Sequence, residues 1–173
     1  VASDPEEADI RHVEHELWLK IKDMALRGRR TGLGITAEGD MLAALGLRYG
    51  SDEAIDFAVE VHRTVALAAY RASVKMAEER GAFPIYDAAR EASNPMIERI
   101  KEADPELYAE MVKHGRRNIA MLTIAPTGTT SLMSQTTSGI EPVFRPVYKR
   151  RRKINPSDKG KVADFVDQMG EKF

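Results

Sequence analysis

The chain is organised around the stretch Arg117-Asn118-Ile119-Ala120-Met121-Leu122-Thr123-Ile124-Ala125-Pro126-Thr127-Gly128-Thr129-Thr130-Ser131. Residues 119–125 are apolar at all but one position, which is typical of a strand that is buried on both faces. Pro126 ends strand pairing because proline has no N–H, and Gly128 allows the backbone to turn or to approach another group closely. The sequence therefore predicts a buried strand, a tight turn and the start of a helix.

Hydroxyl side chains crowd this turn, at Thr127, Thr129, Thr130 and Ser131. The N–H groups in the first turn of a helix lack partners within the helix, and the helix dipole favours negative charge there. The pattern therefore indicates an anion site. Hydroxyl residues after a strand are also frequent as simple helix N-caps, and the spacing alone does not decide between these readings. The turn is not a P-loop, because no lysine follows the glycine.

Composition narrows the class of protein. The chain has 173 residues, which suits one domain with a sizeable core. Lys and Arg number 26 against 27 Asp and Glu, so no general nucleic-acid or membrane surface is indicated. The acidic, polar start does not resemble a signal peptide, and the cytoplasm is the expected compartment. The absence of cysteine excludes disulfides, thiolate metal sites and cysteine chemistry by this chain acting alone.

Helix signals dominate the segments before the central stretch. A first helix is expected from Asp4 to Gly28, with one apolar stripe and with Trp18 packed beside it. A short helix follows Thr36, and a long one runs from Ser51 to Gly81. Two more helices are expected to begin with the Pro-first starts Asn94-Pro95 and Asp104-Pro105. His62 falls on the apolar stripe of the long helix, where a hydrogen-bonded structural histidine is expected.

Features after the turn are more varied. Glu141 is the one acid close to the turn, and it could contact a ligand or pair with a local arginine. Residues 143–148 read as another strand. The run Tyr148-Lys-Arg-Arg-Arg-Lys153 is the one basic cluster, and a charged surface arm is favoured over a nucleic-acid site, which needs a broader basic face. A last amphipathic helix is expected over residues 156–173.

Two blocks of sequence resemble ribonucleotide reductases. The run Thr123-Ile-Ala-Pro-Thr-Gly-Thr-Thr-Ser131, followed by Thr137-Ser-Gly-Ile-Glu-Pro-Val-Phe144, is similar to the signature near the end of the catalytic barrel in that family. The upstream run Arg29-Arg-Thr-Gly-Leu-Gly-Ile-Thr36 is similar to a second block, in the right order and at the right spacing. Together the blocks cover about residues 15–155. By itself the chain reads as mostly α with a few strands. The resemblance implies the later part of a ten-stranded α/β barrel, with residues 1–155 as a partial catalytic barrel.

The resemblance also implies a function, the reduction of a ribonucleotide at the ribose 2′-position by thiyl-radical chemistry. The family's residues that match Ala125, Pro126, Thr127, Gly128, Thr129 and Thr130 hold the substrate's phosphates, and Ser131 and Glu141 are possible substrate-pocket residues. The family needs a radical cysteine, two reducing cysteines and an Asn-x-Cys-x-Glu loop, all absent here. The chain is therefore expected to be an inactive fragment whose partner is the upstream cysteine-bearing part of the enzyme. No catalytic residue and no metal ligand is expected in it.

The turn sequence also resembles one branch of the family. Pro126-Thr-Gly-Thr-Thr130, and the basic arm followed by Ile154-Asn155-Pro156, are similar to the adenosylcobalamin-dependent enzymes, although the cobalamin site itself is not identifiable in this sequence. Two other functions stay open: a non-catalytic nucleotide- or phosphate-binding helical module, and a nucleic-acid-binding protein that acts through residues 149–153.

Overall fold

The computed structural model describes residues 7–147, 149, 151–155, 157–158 and 160–173. The chain divides into two compact units, Val1–Pro142 and Val143–Phe173. This division falls earlier in the chain than the domain boundary expected after residue 155.

The first unit is helical. Its described residues form α1 (Ala8–Gly28), α2 (Glu38–Ala44), α3 (Asp52–Arg80), α4 (Ala88–Glu91), α5 (Pro95–Ala103), α6 (Pro105–His114) and α7 (Gly128–Ser134). The prediction of a mostly α chain is confirmed. Among the helices of the described residues, none combines the length and apolar character needed to cross a lipid bilayer.

Side-chain caps fix the starts of three helices where the sequence predicts them, whereas α1, α2 and α7 start without a side-chain cap. Ser51, Asn94 and Asp104 each accept a hydrogen bond from a first-turn N–H group, of α3, α5 and α6 respectively. Asp87 accepts two such bonds at the start of α4. The sequence does not predict α4, because a helix of four residues is too short to show a periodic pattern.

The core lies where α3, α5 and α6 meet the start of the central stretch. Its buried members are Tyr70, Val74, Ile97, Ile100, Leu107, Met111 and Met121. Burial raises the pKa of Tyr70 above its ordinary value, since the charged phenolate loses its water. Met121 ties the central stretch to the helices, and so the core fixes the direction in which residues 121–128 leave it.

Among the described residues, the central stretch pairs as a strand with the segment that follows α1. The N–H of Thr31 donates to Ala120 O (2.9 Å) and that of Leu33 to Met121 O (2.6 Å), while Thr123 N–H donates back to Leu33 O (2.9 Å). The two segments run in parallel. The expected strand is therefore an extended segment with one bridge rather than a long ladder in the described residues.

The expectation that this strand is buried on both faces is wrong for the described chain. Met121 is buried in the core, but Leu122 and Ile124 are 38% and 56% exposed. Both side chains line an open groove of about 810 Å³ beside α3 and α5. Only one face of the segment is therefore packed against helices.

Gly34 permits the close approach of the two segments. A Cβ built on Gly34 would lie 2.3 Å from Thr123 O, which belongs to the pairing backbone and cannot move aside. We expect Gly34→Ala to lower the free energy of unfolding by about 1–3 kcal/mol, the range for overpacking. Urea denaturation measures this. Gly128→Ala is the control, because a Cβ there meets nothing within 4 Å, and an equal loss in both variants would contradict the expectation.

The second unit corrects two expectations. Within described residues 143–147 there is no strand, and residues 160–173 contain no helix; Tyr148, Arg150, Pro156 and Lys159 lie outside the described residues. The end of the chain is instead a small hairpin with an antiparallel bridge between Val166 and Lys172. Asp167 and Gly170 explain the difference. The Asp167 carboxylate accepts the N–H groups of the turn, and Gly170 takes a positive φ of 82°.

Helix α1 leaves its apolar stripe open. Of its 21 residues only Gly28 is buried, and Trp18, which was expected to be packed, is 61% exposed. Its amphipathic pattern predicted the helix correctly. The pattern does not predict what packs against the stripe, because hydrophobic periodicity identifies an apolar face and not the element that covers that face.

Candidate functional site

Three segments that are far apart in the sequence meet at the hydroxyl-rich turn. They are residues 36–40, 125–131 and 137–141. The N–H of Ala37 donates to Thr137 O (3.2 Å) and that of Glu38 to Gly139 O (3.3 Å). In return, Thr137 N–H donates to the Asp40 carboxylate (2.9 Å). The structure therefore brings together both sequence blocks that carried the resemblance.

Thr127 is the residue on which the turn depends. Its φ of 48° and ψ of 25° lie in the left-handed region, which a β-branched residue rarely adopts and which costs about 1–3 kcal/mol. Its hydroxyl offsets that cost. Thr127 Oγ1 accepts the N–H of Gly139 at 2.6 Å and lies 2.9 Å from Thr36 Oγ1. The sequence predicts the special backbone conformation at Gly128, which is instead the first residue of α7.

Thr127 gives a direct test of this arrangement. We expect Thr127→Val, which keeps the shape but loses the hydroxyl, to lower the free energy of unfolding by about 1–3 kcal/mol because Gly139 N–H loses its acceptor. Thr127→Ser keeps the hydroxyl and should change stability by less than about 0.5 kcal/mol. Thermal and urea unfolding compare the two. Equal stability of the two variants would show that the hydroxyl does not hold the turn.

The start of α7 offers unused donors. Within the described part of the chain, the N–H groups of Gly128, Thr129 and Thr130 have no hydrogen-bond acceptor. The space beside Gly128 is open, and Thr129 and Thr130 are exposed. Their hydroxyls form no hydrogen bond with any residue that the structure describes, so three amides and two hydroxyls stand free in one exposed turn.

The other predicted site residues are placed differently. Ser131 is buried, and its hydroxyl donates to Gly128 O (3.0 Å). This bond lies within the first turn of α7, and the expectation that Ser131 belongs to a substrate pocket stays a prediction. Pro126 is exposed but has no N–H to donate, and Ala125 is half-buried. The hydroxyl of Thr127 is likewise engaged within the fold.

Glu141 lies at the edge of the turn. A Cβ on Gly139 would lie 2.6 Å from its carboxylate Oε2, so the glycine admits that carboxylate next to the backbone that Thr127 holds. Glu141 is exposed and forms no ion pair with any described residue. Of the two alternatives, pairing with a local arginine is thus not seen among the described residues.

Sequence reasoning missed Arg116, which holds the other end of the central stretch. Its guanidinium is only 3% exposed and pairs with both carboxylate oxygens of Glu91. It also donates to the carbonyl oxygens of Asn118 (3.1 Å) and Ile119 (3.2 Å). The aromatic rings near it belong to Tyr70, Phe83 and Tyr86. A sequence run of arginines usually indicates a solvated face, so no signal marked this one as buried.

His62 has the structural role that the sequence predicted. Its Nε2 lies 2.7 Å from the buried carboxylate of Glu38, the first residue of α2. This hydrogen bond joins α3 to α2, which borders the turn. Nowhere in the described ranges do three or more His, Cys, Asp or Glu side chains cluster as they would around a metal ion.

Comparison with known proteins places the chain in a family. The family described as "Ribonucleotide reductase, barrel domain" matches residues 10–167. The vitamin B12-dependent ribonucleoside-diphosphate reductase of Mycobacterium tuberculosis (strain CDC 1551 / Oshkosh) is 36% identical over 143 residues, 82% of this chain and 18% of that protein. The chain therefore belongs to the ribonucleotide reductase barrel-domain family.

Two further relatives are also named ribonucleoside-diphosphate reductases. The vitamin B12-dependent ribonucleoside-diphosphate reductase of Thermoplasma acidophilum is 33% identical over 131 residues, 76% of this chain and 15% of that protein. The ribonucleoside-diphosphate reductase subunit alpha of Treponema pallidum (strain Nichols) is 30% identical over 128 residues, 72% of this chain and 15% of that protein. The chain thus spans less than a fifth of the length of these relatives.

Proposed function

We propose that this chain supplies the substrate-phosphate-binding turn of a ribonucleotide reductase, which converts a ribonucleotide to its 2′-deoxy form. The observation that carries the proposal is the group of free amides at Gly128, Thr129 and Thr130, presented by a turn that Thr127 holds in a strained conformation. In a family that acts on nucleotides, free donors on a preformed turn fit a phosphate.

The turn offers the type of donor that a phosphate accepts, and hydrogen bonds of sufficient strength to bind it. Phosphate oxygens accept N–H and O–H donors, and a hydrogen bond to a charged group contributes about 1.5–3 kcal/mol. Residues 125–130 would form the wall of the phosphate site, the amides and hydroxyls of Gly128, Thr129 and Thr130 its donors, and Glu141 its rim. The backbone need not reorganise on binding, because the bonds of Thr127 already fix it.

The phosphate site would act at a distance from the reacting atoms. A remote group that is held rigidly fixes the reacting centre and lowers the entropy cost of reaching the transition state. Here the phosphates are remote and the ribose is the reacting part. The chain has no cysteine, so the thiyl radical and the reducing thiols of such a reaction would have to come from a cysteine-bearing part of the enzyme outside these residues.

The relatives' names bear on the cofactor. Two of the three relatives described are vitamin B12-dependent, and we assign this chain to the same adenosylcobalamin-dependent branch of the enzyme. Among the described residues, no three His, Cys, Asp or Glu side chains are grouped as they would be around a metal ion. We propose that the cofactor is held by other parts of the complete enzyme. That enzyme would act in the cytoplasm, where its deoxyribonucleotide product serves DNA replication.

The pairing of the central stretch supports the barrel. Two parallel neighbours, residues 31–33 and 120–123, with helices packed on one face, are what adjacent strands of a ten-stranded α/β barrel would be. We propose that residues 1–155 contribute to such a barrel and that the exposed side of Leu122 and Ile124 faces its missing part.

The basic arm is a weaker candidate for function. In the second unit, Arg151 stacks over the Phe165 ring at 4.1 Å, and Arg152 pairs with Asp158 at 2.9 Å. Lys153 pairs with Glu171 at 2.6 Å. These contacts hold the arm along the surface of its own unit, as a charged surface arm would be. The described part of the arm therefore favours the surface-arm interpretation.

Complementation tests the proposal. This chain is mixed with the cysteine-bearing remainder of a vitamin B12-dependent relative that lacks the matching segment, with adenosylcobalamin and a dithiol reductant. We expect deoxyribonucleotide to form in the mixture and in neither half alone. Three outcomes would refute the proposal: no product from a complex that forms, full activity of the remainder by itself, or nucleotide binding to this chain that its partner does not affect.

A further inference from the structure

The segment 137–139 lies between the starts of two helices and contacts both. Each helix begins at a non-glycine residue in the left-handed region, Ala37 (φ 67°) before α2 and Thr127 (φ 48°) before α7, and neither start has a side-chain cap. The N–H groups of Ala37 and Glu38 donate to carbonyl oxygens of the segment, whose Gly139 N–H donates in turn to Thr127 Oγ1. The start of α2 and the hydroxyl-rich turn are therefore joined through these three residues.

Asp40 is the side chain of α2 that holds the segment. Its carboxylate Oδ2 accepts the N–H of Thr137 (2.9 Å), and its own N–H donates to Thr137 Oγ1 (3.2 Å). The exchange is reciprocal, as in a capping box, although the two residues stand 97 positions apart in the sequence. A hydrogen bond to an ionised carboxylate is stronger than one between neutral groups. The neighbouring carboxylate of Glu38 instead pairs with His62 on α3.

Gly39 lets α2 approach closely enough for these bonds. A Cβ built on Gly39 would lie 2.8 Å from the backbone oxygen of Glu141 and 3.2 Å from Thr137 Oγ1. Gly39 lies inside α2, where alanine is the better helix former. The glycine is therefore explained by the close contact with residues 137–141 and not by the needs of the helix.

The segment transmits this hold to the turn. Gly139 is buried, and its N–H reaches Thr127 Oγ1 at 2.6 Å. A left-handed backbone is unfavourable for a β-branched residue, so Thr127 should relax when the segment moves and that bond is lost. The free amides at the start of α7 would then lose their fixed direction, and a small displacement of a positioning group can cost much of a reaction's rate.

We propose that Asp40 is a positioning residue of the phosphate-binding turn. Its carboxylate holds residues 137–139 against α2 and, through Gly139 and Thr127, fixes the direction of the amides at the start of α7. The inference rests on the proposed function for its effect on substrate, but the link itself rests only on contacts between described residues. Asp40 acts through these residues and does not contact the substrate.

Amide hydrogen exchange, followed by NMR, tests the link without any nucleotide. We expect Asp40→Leu, which loses the acceptor, to speed exchange of the Gly139 amide about tenfold or more, while the core amides of Val74 and Ile100 change less than about twofold. Asp40→Asn keeps an acceptor oxygen and should restore exchange to within about threefold. Asp52→Leu removes an exposed first-turn carboxylate of α3 and is the matched control, with a change below about twofold at Gly139.

Three results of that experiment overturn the proposal. One is unchanged exchange at Gly139 in Asp40→Leu, and another is an equal rise at Gly139 and in the core, because Asp40 would then stabilise the whole chain. The third is exchange in Asp40→Asn as fast as in Asp40→Leu, because the charge and not the hydrogen bond would then matter. Gly39→Ala reaches the same state without touching that charge, and unchanged Gly139 exchange in it also counts against the proposal.

Binding of a ribonucleoside diphosphate to the complemented enzyme tests the consequence. We expect Asp40→Leu and Thr127→Val each to raise the Kd about tenfold or more, and the double variant to stay within about threefold of the worse single, since both act on one path. Losses that multiply overturn the proposal. Equal binding by the original chain and Asp40→Leu overturns it alone and leaves the proposed function intact. If nucleotide does not reach the turn of the original chain, the proposed function fails, and Gly139 exchange still decides the link.

Discussion

Replacing Arg116 with methionine is expected to lower the free energy of unfolding of this chain by about 3–5 kcal/mol, the cost of breaking a buried ion pair from one side. Methionine fills much of the same space but leaves the Glu91 carboxylate unpaired. It also leaves the carbonyl oxygens of Asn118 and Ile119 without their donors. Domains of this size are stable by about 5–15 kcal/mol, so the loss is a large fraction of the total.

Urea denaturation of matched variants tests whether the loss of stability comes from the burial of the Arg116 ion pair. Arg71→Met removes another arginine–carboxylate pair, with Asp104, but its arginine side chain is 60% exposed, so the expected loss is below about 1 kcal/mol. Arg116→Lys keeps the charge without the planar fork and should fall between the two. If Arg116→Met and Arg71→Met cost the same, burial of Arg116 does not anchor the central stretch.

Replacing Thr129 and Thr130 together with alanine is expected to lower kcat/KM of the complemented enzyme by about 100-fold or more. Each hydroxyl would donate to a charged phosphate, and the loss of each costs about 1.5–3 kcal/mol. Because both side chains are exposed and have no hydrogen-bond partner among the described residues, their removal should leave the stability of the chain unchanged. Steady-state reduction of a ribonucleotide measures the effect, and urea denaturation verifies that the fold is intact.

Thr64→Ala is the matched control for that double variant. Thr64 is an exposed threonine in the middle of α3, away from the turn, and its loss should change kcat/KM by less than about twofold. If the double variant at the turn behaves like Thr64→Ala, the hydroxyls do not contact substrate, and only the amides could then bind the phosphates.

Helix positions could be predicted because their signals are local. Ser51, Asn94 and Asp104 cap helices as the sequence predicted, since a cap needs only the N–H groups two or three residues ahead of it. The prediction of a last helix was wrong because the hydrophobic periodicity of residues 162–169 is short. The turn chemistry of Asp167 and Gly170 overrides it.

Burial was harder to predict because it depends on partners outside a segment. The run from Ile119 to Ala125 reads as a strand covered on both faces, yet only Met121 is packed in the core. The apolar composition of the segment shows that it could be buried on both faces. One neighbouring segment, with helices on one side, is not enough to cover both faces. Trp18 on α1 was misjudged for the same reason.

The turn was predicted in the right place, but its details were not. Four hydroxyls in five positions located the turn, whereas the strained backbone at Thr127 and the burial of Ser131 could not be foreseen. The Thr127 hydroxyl is held by Gly139 N–H and Thr36 Oγ1, which come from other parts of the sequence and meet the turn only after folding.

The most direct measurement is to follow the backbone amide resonances of Gly128, Thr129 and Thr130 while a ribonucleoside diphosphate is titrated into the isotope-labelled chain bound to its cysteine-bearing partner. We predict that these three resonances move downfield and saturate together, and that the phosphate-free nucleoside does not move them. Resonances that stay fixed at nucleotide concentrations that support reduction would show that the substrate's phosphates are held elsewhere.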